Sequence, residues 1–561
     1  MENHLFSLKA FQTFEPYFSY DQNNQLCVHY GQNFEQFMPL VDIVNNALEQ
    51  GAKKPCVLTF RHITEDRMLK LYQSFNKVMR NYRYQGHYQL AYPIKVNPNA
   101  NVMQTLKNCA HKHDLPFSFE VGSKSELLSV LAISSKQNSI ICNGFKDLEF
   151  YRLGNLAAKL GFKVVMVLEH VSEVTLVKAL AQEDHVYVDL GFRTKPFIDD
   201  LHSIKFGLSL VDILSAKNEI KALNLAHKVV LLHGHIGSQL KNLKQVEKHI
   251  NMMVCLYAEL LKECVNLNLI DLGGGLGIDY LNTQKPHFEF DYYAQTVVRT
   301  FSYYVDLFDL PHPNLITESG RAMTAMSSVL IVSPLYQTLC FDSVAQTSYD
   351  KATQDQWLRG DIDLNTLLGS SNLSYIDQTN QYKLWLNFSL FQSLPDHWGI
   401  NQHFPLLPVR HYSATETIDC QIFDISCDAD GVIKGKDGMD YISLPMTEIG
   451  DLAFMFVGSY QDMLSSKHNV IGKTSRVEIN FNMYDECVIS VEAAEDYHAL
   501  LCQYGHNPLS LLSKFQRLSQ YNAQTELTTN DLTLLDNMLN GFPYLQFTTY
   551  EESVNAKIFA S

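Results

Sequence analysis

The chain has 561 residues, too many for one ordinary core, and its 46% hydrophobic and 19% charged residues are those of a globular protein rather than a disordered or fibrous one. A formal charge of −16 supplies no basic stripe for a phosphate backbone, which argues against nucleic acid as a partner and suits a cationic substrate better. The 11 cysteines show no CxxC pair or zinc-type spacing, no run reaches membrane-spanning length and the first residues lack a secretory pattern, so a cytoplasmic chain with reduced thiols and no membrane partner is expected.

Residues 1–60 are read as an N-terminal segment contributing to a later β domain. Eight apolar or β-branched runs then follow in order: QLAYPIK (89–95), FSFEVG (117–122), SIICNG (139–144), KVVMVLE (163–169), VYVDLG (186–191), VVLLHGHIG (229–237), LIDLGGG (269–275) and LITESG (315–320). The segments between them read as helices. After Ser123, a candidate cap, SKSELLSVLAI is expected to put Leu127, Leu128 and Leu131 on one stripe. Alternating strands and helices imply parallel β/α units, and eight of them imply a closed (β/α)8 barrel over 61–327 with its chemistry at the C-terminal strand ends. From 328 to 500 the runs VLIVS, KLWLNF, QIFDIS, LAFMFV, RVEINF and CVISVE predict a mostly antiparallel β domain, interrupted by an insertion at about 341–382. Residues 501–561 read as a C-terminal helical segment, which makes the fold class α/β plus β.

Polar residues collect where a barrel enzyme would place them. Lys95 ends the first run in YPIKVN, an apolar setting expected to lower its pKa and prepare the amine for an imine with an aldehyde cofactor. Gly273, Gly274 and Gly275 after the seventh run would let backbone N–H groups approach a phosphate, with Arg321 after the eighth adding a charged fork. Glu318 is placed to hold a pyridine nitrogen protonated; the plain alternative is an ion pair with a neighbouring arginine. His235 and Ser238 in HGHIGS could stack on a ring and bind phosphate, or His235 could be a self-satisfied core residue.

These residues stand in segments that resemble the biosynthetic arginine decarboxylases, pyridoxal phosphate (PLP) enzymes of the alanine racemase and ornithine decarboxylase fold group. The resemblance runs through YPIKVN, EVGSKSELL, ICNGFKD, KFGLS, HGHIGS, DLGGGLGIDY and ESGRAMTA, and on through NFSLFQSLPDHWGI, CDADG and VGSYQDMLSSKHN. It implies a PLP-binding TIM barrel that decarboxylates L-arginine to agmatine and CO2 in polyamine biosynthesis. It further implies PLP on Lys95, His235 stacked on the ring, Ser238, Gly274, Arg321 and Tyr460 around the phosphate, Glu318 at the pyridine nitrogen and Arg193 near the pyridine side. Cys427 and Asp428 match a pair that enters the site from the other subunit of a homodimer, the thiol near the α-carbon and the carboxylate near the distal cation. A dimer of dimers is a further assembly that the resemblance allows. Such enzymes often use Mg2+, for which the sequence nominates no ligands.

Three departures from that pattern stand out. The segment between Arg193 and Lys205 is short, the insertion at 341–382 is short, and Met326 and Ser327 replace two histidines. The same Lys95, Glu318 and Arg321 would serve a decarboxylase of ornithine, lysine, diaminopimelate or carboxynorspermidine. A non-catalytic regulatory homologue is the alternative of another class.

Overall fold

The computed structural model describes residues 13–196, 205–240, 242–281, 288–342, 351–363, 366, 379–435, 438–439, 441–482, 484–521 and 528–545. Eight parallel strands close into a barrel: β1 (Tyr88–Pro93), β2 (Phe117–Val121), β3 (Ser139–Cys142), β4 (Lys163–Leu168), β5 (Asp189–Thr194), β6 (Val229–Gly234), β7 (Leu269–Asp271) and β8 (Asn314–Thr317). Leu315 of β8 pairs with Tyr88 of β1, which completes the ring. Ala91, Ile141, Val165, Val167, Leu231 and Ile316 form an apolar cluster separate from the main core, the small and branched filling that a barrel interior requires.

The barrel expected from the sequence is therefore present, with one strand displaced. The fifth run was placed at 186–191, whereas β5 begins at Asp189. Asn155 Oδ1 accepts the N–H groups of Tyr187 (2.7 Å) and Val188 (3.3 Å), which removes them from the ladder before the strand starts. Ser123 caps the helix Lys124–Ile133 by accepting from Glu126 N, as expected, but the stripe is narrower than predicted. Leu127 is buried, whereas Leu128 lies one residue, or about 100°, around the helix and is 56% exposed.

The remaining strands are mostly antiparallel. A six-stranded sheet runs Leu406–Pro408, Leu452–Met455, Ser328–Val332, Cys56–Phe60, Ser475–Phe481 and Cys487–Glu492, with a parallel contact between Cys56–Phe60 and Ser475–Phe481. A second sheet is built on Pro334–Asp342, Thr379–Leu386 and Ile418–Phe423, where the last two pair in parallel. The first two of these strands pair from Asp342 against Thr379, so both ends of the segment read as an insertion are sheet strands. Most of that insertion, and most of the short segment between Arg193 and Lys205, lies outside the described residues. Pro508–Tyr521 and Thr529–Leu539 are helical as the sequence predicts, the latter capped by Thr528. Among the described residues no helix is long and apolar enough to cross a membrane.

Candidate active site

Every barrel strand delivers one polar side chain at its C-terminal end, in the order Lys95, Glu120, Asn143, Glu169, Arg193, His233, Asp271 and Glu318. Chain direction fixes this, because parallel strands bring all eight ends to one mouth. Two ion pairs form between neighbouring strands. Lys95 Nζ meets Glu120 Oε2 at 2.9 Å, and Arg193 Nη1 meets Glu169 Oε1 at 2.9 Å.

The Lys95 side chain stays half exposed along the mouth, and its amine is shifted opposite to the sequence expectation. Burial pulls its pKa down, but the carboxylates of Glu120 and Glu318 together overcome that and hold the amine above its ordinary value. At Glu169, burial pushes the carboxyl up, yet Arg193, Lys146 and the Gly144 N–H outweigh it and the net shift is downward.

With those two pairs matched, Asp271 and Glu318 remain. Asp271 is fully buried; burial first, and Glu318 second, push its carboxyl well above the usual range, which favours the neutral acid. Among the described residues Glu318, like Asp271, has no lysine or arginine ion pair. Its Oε1 accepts from His233 Nε2 at 2.9 Å and from Asn143 Nδ2 at 3.1 Å, and among the described residues Oε2 makes no hydrogen bond. Among the described residues the arginine ion pair weighed for Glu318 is absent, and Arg321 pairs with Asp396 instead.

Arg321 lies in the short helix Gly320–Thr324 and is nearly buried. Its guanidinium stands 3.1 Å from Tyr280 Oη, 3.4 Å from Asp396 Oδ2 and 4.6 Å above the Tyr460 ring, while its buried Nε has no partner. Gly273 holds φ +66°, and a Cβ there would lie 2.6 Å from His235 Nδ1. The glycine N–H groups are only partly free: Gly273 donates to Asp271 Oδ1 at 2.8 Å and Gly274 to His235 Nδ1 at 3.1 Å. Gly275 accepts from Leu240 N at 3.0 Å, which folds the loop carrying His235 and exposed Ser238 back against the glycine turn. His235 is held neutral, its pKa lowered to about 3 chiefly by burial.

These groups fit PLP. A lysine amine, a carboxylate with an open oxygen and a guanidinium with an orphaned N–H share the mouth with a side-chain-free turn beneath a neutral imidazole. His233, Asp271 and Glu318 have ligand atoms within 4.8 Å of one another and so form a metal-capable group. One buried imidazole and two buried carboxyls, with no room among them for a shell of bound waters, do not match the hydrated octahedral oxygen set of Mg2+.

Cys427 and Asp428 lie in the β domain on an exposed turn. Asn469 Nδ2 donates to Cys427 Sγ at 3.0 Å, and Asp428 Oδ2 stands 3.3 Å from His468 Nε2. Among the described residues neither side chain hydrogen-bonds to Lys95, Glu318 or Arg321. At Met326, Arg67 donates to Met326 Sδ and to the Ala322 carbonyl while lying 4.5 Å over the Phe290 ring, and nothing in these contacts explains why methionine stands there instead of histidine. Ser327 Oγ donates to Thr324 O at 2.8 Å.

Sequence reasoning missed Glu120, Asn143, Glu169, His233, Asp271 and Asp396 as site residues. The signal was available, since five of the six end barrel strands and the sixth interrupts an apolar turn.

Comparison with known proteins bears on the same residues. The family described as pyridoxal-dependent decarboxylase, pyridoxal binding domain, matches residues 68–325. The chain is 30% identical to a biosynthetic arginine decarboxylase of Pasteurella multocida over 89% of each chain. It is also 30% identical to one of Proteus mirabilis, over 91% of this chain and 93% of the relative. Among solved structures it is similar to a biosynthetic arginine decarboxylase of Campylobacter jejuni, with TM-score 0.80, 25% identity and coverage of 97% and 99%.

Proposed function

The chain belongs to the family of biosynthetic arginine decarboxylases, and from that premise we propose that it removes the α-carboxylate of L-arginine as CO2 to give agmatine, in the cytoplasm, as a step of polyamine biosynthesis. The observation that carries the reading is the mouth itself, where the Lys95 amine lies near enough to Glu318 for that charge to raise its pKa and the glycine turn packs against His235. The ten cysteines whose side chains are described are free thiols, which is consistent with a reducing compartment.

Lys95 would carry PLP, whose protonated ring supplies an electron sink for the bond that breaks at the substrate α-carbon. Glu318 Oε2 would hold the proton on the ring nitrogen. Arg321, Ser238, Tyr460 and the turn Gly273, Gly274 and Gly275 would bind the phosphate, with His235 covering one ring face. Arg193, fixed on Glu169, would stand beside the ring without pairing with Glu318. Glu120 would take and return the Lys95 proton as that amine is exchanged for the substrate's.

The guanidinium end requires a carboxylate that this mouth does not supply, since its acidic groups are paired, buried or turned to the ring. Asp428 of a second copy would supply it, matching a planar fork with two oxygens, and Cys427 of that copy would bring a proton to the α-carbon. A homodimer with two shared sites follows.

The test is direct. Protein loaded with PLP should show a visible absorption band that Lys95→Ala abolishes, and should release CO2 from arginine faster than from ornithine, lysine or diaminopimelate. No band, or a preference for another amino acid, refutes the corresponding half of the reading.

A further inference from the structure

Asn143 reaches the mouth on a loop that cannot easily move. Its own N–H donates to Val121 O at 2.8 Å, and the next residue, Gly144 at φ +76°, packs so closely that a Cβ would lie 2.5 Å from Gly122 O. The loops after β2 and β3 are thereby locked edge to edge. The Asn143 Nδ2 stands 3.0 Å from Glu120 Oε1 and 3.1 Å from Glu318 Oε1. An amide nitrogen carries two hydrogens, one for each carboxylate; the reversed amide would set an oxygen against both. In this orientation Asn143 Oδ1 is buried without a partner, a desolvation cost accepted for two bonds to charged acceptors.

His233 is the second donor. Its Nε2 bonds Glu318 Oε1 while its Nδ1 is buried and unpartnered, so the ring carries its proton on Nε2. Burial, with Arg193 and Lys95 acting in the same sense, lowers its pKa to about 3, against the opposing pull of Glu169 and Glu120. Of the titratable groups around this pair, Lys95 bonds Glu120 and also feels the Glu318 charge, Arg193 bonds Glu169, and Asp271 Oδ1 accepts from the Gly273 N–H.

We propose that Asn143 and His233 are positioning residues for the reaction. Asn143 ties the carboxylate that partners Lys95 to the carboxylate that faces the ring nitrogen, His233 holds the second of these, and both act through neutral N–H donors. A cation in either place would hold Glu318 equally well but would cancel the charge that the ring requires. Neutral donors fix the direction of Oε2 and leave its charge for the ring. This inference rests on the PLP reading above.

The experiment compares the parent, loaded with PLP, with Asn143→Leu, His233→Leu and His233→Gln. The glutamine amide nitrogen stands as many bonds from the backbone as the imidazole Nε2–H. PLP affinity, the pH at which the visible band shifts, and kcat and KM for arginine are read for each. The leucine variants should lose about 10- to 100-fold in kcat with KM within about 3-fold, as when outer hydrogen-bond partners are lost at other cofactor sites. The band midpoint should move with them, and His233→Gln should recover most of the loss. A leucine variant that folds by circular dichroism and keeps the parental band midpoint and kcat overturns the proposal. So does a glutamine variant no better than leucine. Should the leucine variants fail to fold, Asn143→Asp keeps the volume but removes both donors, and an unmoved band there is equally fatal. A parent that shows no band at all sinks the PLP reading instead, so the two failures are distinct.

Discussion

Lys146 is the perturbation with the largest calculable consequence. It stands in ICNGFKD two residues after the Gly144 lock, with its side chain fully buried. Its Nζ lies 3.0 Å from Glu173 Oε2 and 2.6 Å from Gly144 O; Glu173 also accepts from Tyr151 Oη at 2.9 Å and from Glu169 N at 3.0 Å. Lys146→Met fills nearly the same volume but leaves a buried carboxylate with neutral partners only, which costs about 3–5 kcal/mol. Adding Glu173→Gln removes the stranded charge, so the double variant should recover roughly 1–3 kcal/mol of that loss. Urea unfolding followed by far-UV circular dichroism measures both. The same loop carries Asn143, and Gly144 N donates to Glu169, so Lys146→Met should also weaken PLP binding by about 10-fold, or roughly 1.4 kcal/mol. A loss below about 1 kcal/mol for the single variant, or a double variant worse than the single, would refute the account of a strained charge released by losing its partner.

Three further outcomes are expected. Gly273→Ala forces a side chain into positive φ and against His235, and should raise the PLP dissociation constant by about 100-fold, measured by equilibrium titration of the visible band. In cofactor-free protein the raised Lys95 pKa means that PLP uptake, which needs the neutral amine, should accelerate with rising pH; Glu120→Gln should move that rise to lower pH in stopped-flow traces. His62, His233, His235, His249 and His397 are all held neutral with pKa values lowered to about 3 or 4, burial being the main cause at each. The unfolded chain binds those protons from about pH 6.5 downward and the folded chain does not, so stability falls with acid by about 1 kcal/mol per histidine between roughly pH 6.5 and 5.5; a flat urea midpoint across that range would contradict it.

The barrel was legible because buried parallel strands must be short continuous apolar runs, and each of the eight ended in a recognisable turn. Its one misplaced strand shows what the pattern cannot carry. Val186 and Val188 are as apolar as any strand residue, but Asn155, 32 and 33 residues earlier in sequence, takes the N–H groups of Tyr187 and Val188, and no local periodicity records that. The site divided along a similar line. Lys95, Arg321 and the glycine turn announce themselves as groups that a cofactor needs. Asn143 and His233 do not, because each is defined by what it touches: Asn143 the carboxylates of Glu120 and Glu318, His233 the latter alone, and these meet only once the barrel closes. The Lys95 pKa was misread for the same reason. Its sequence neighbours are apolar, while its spatial neighbours are Glu120 and Glu318.

The stretch FQSLPDHWGI joins the two halves of the proposed site. Its helical turns, Leu390–Ser393 and Pro395–Ile400, are pinned at the start, where Leu390 N donates to buried Asp424 at 2.7 Å. One side of the turn presents Asp396 to Arg321, and Asp396 N is itself held by Gln461 Oε1 at 3.1 Å. The other side reaches the turn that bears Cys427 and Asp428: Trp398 Nε1 donates to Asp430 Oδ2 at 3.2 Å, and the Phe391 ring lies 4.7 Å from that of His468, the partner of Asp428. A site completed by a second copy has to solve two problems at once, holding the phosphate end for its own cofactor and presenting a thiol and carboxylate at a fixed distance for its neighbour's. Ten consecutive residues that brace both ends tie those distances together. This gives a physical reason why that stretch, rather than the barrel alone, carries the resemblance to the arginine enzymes.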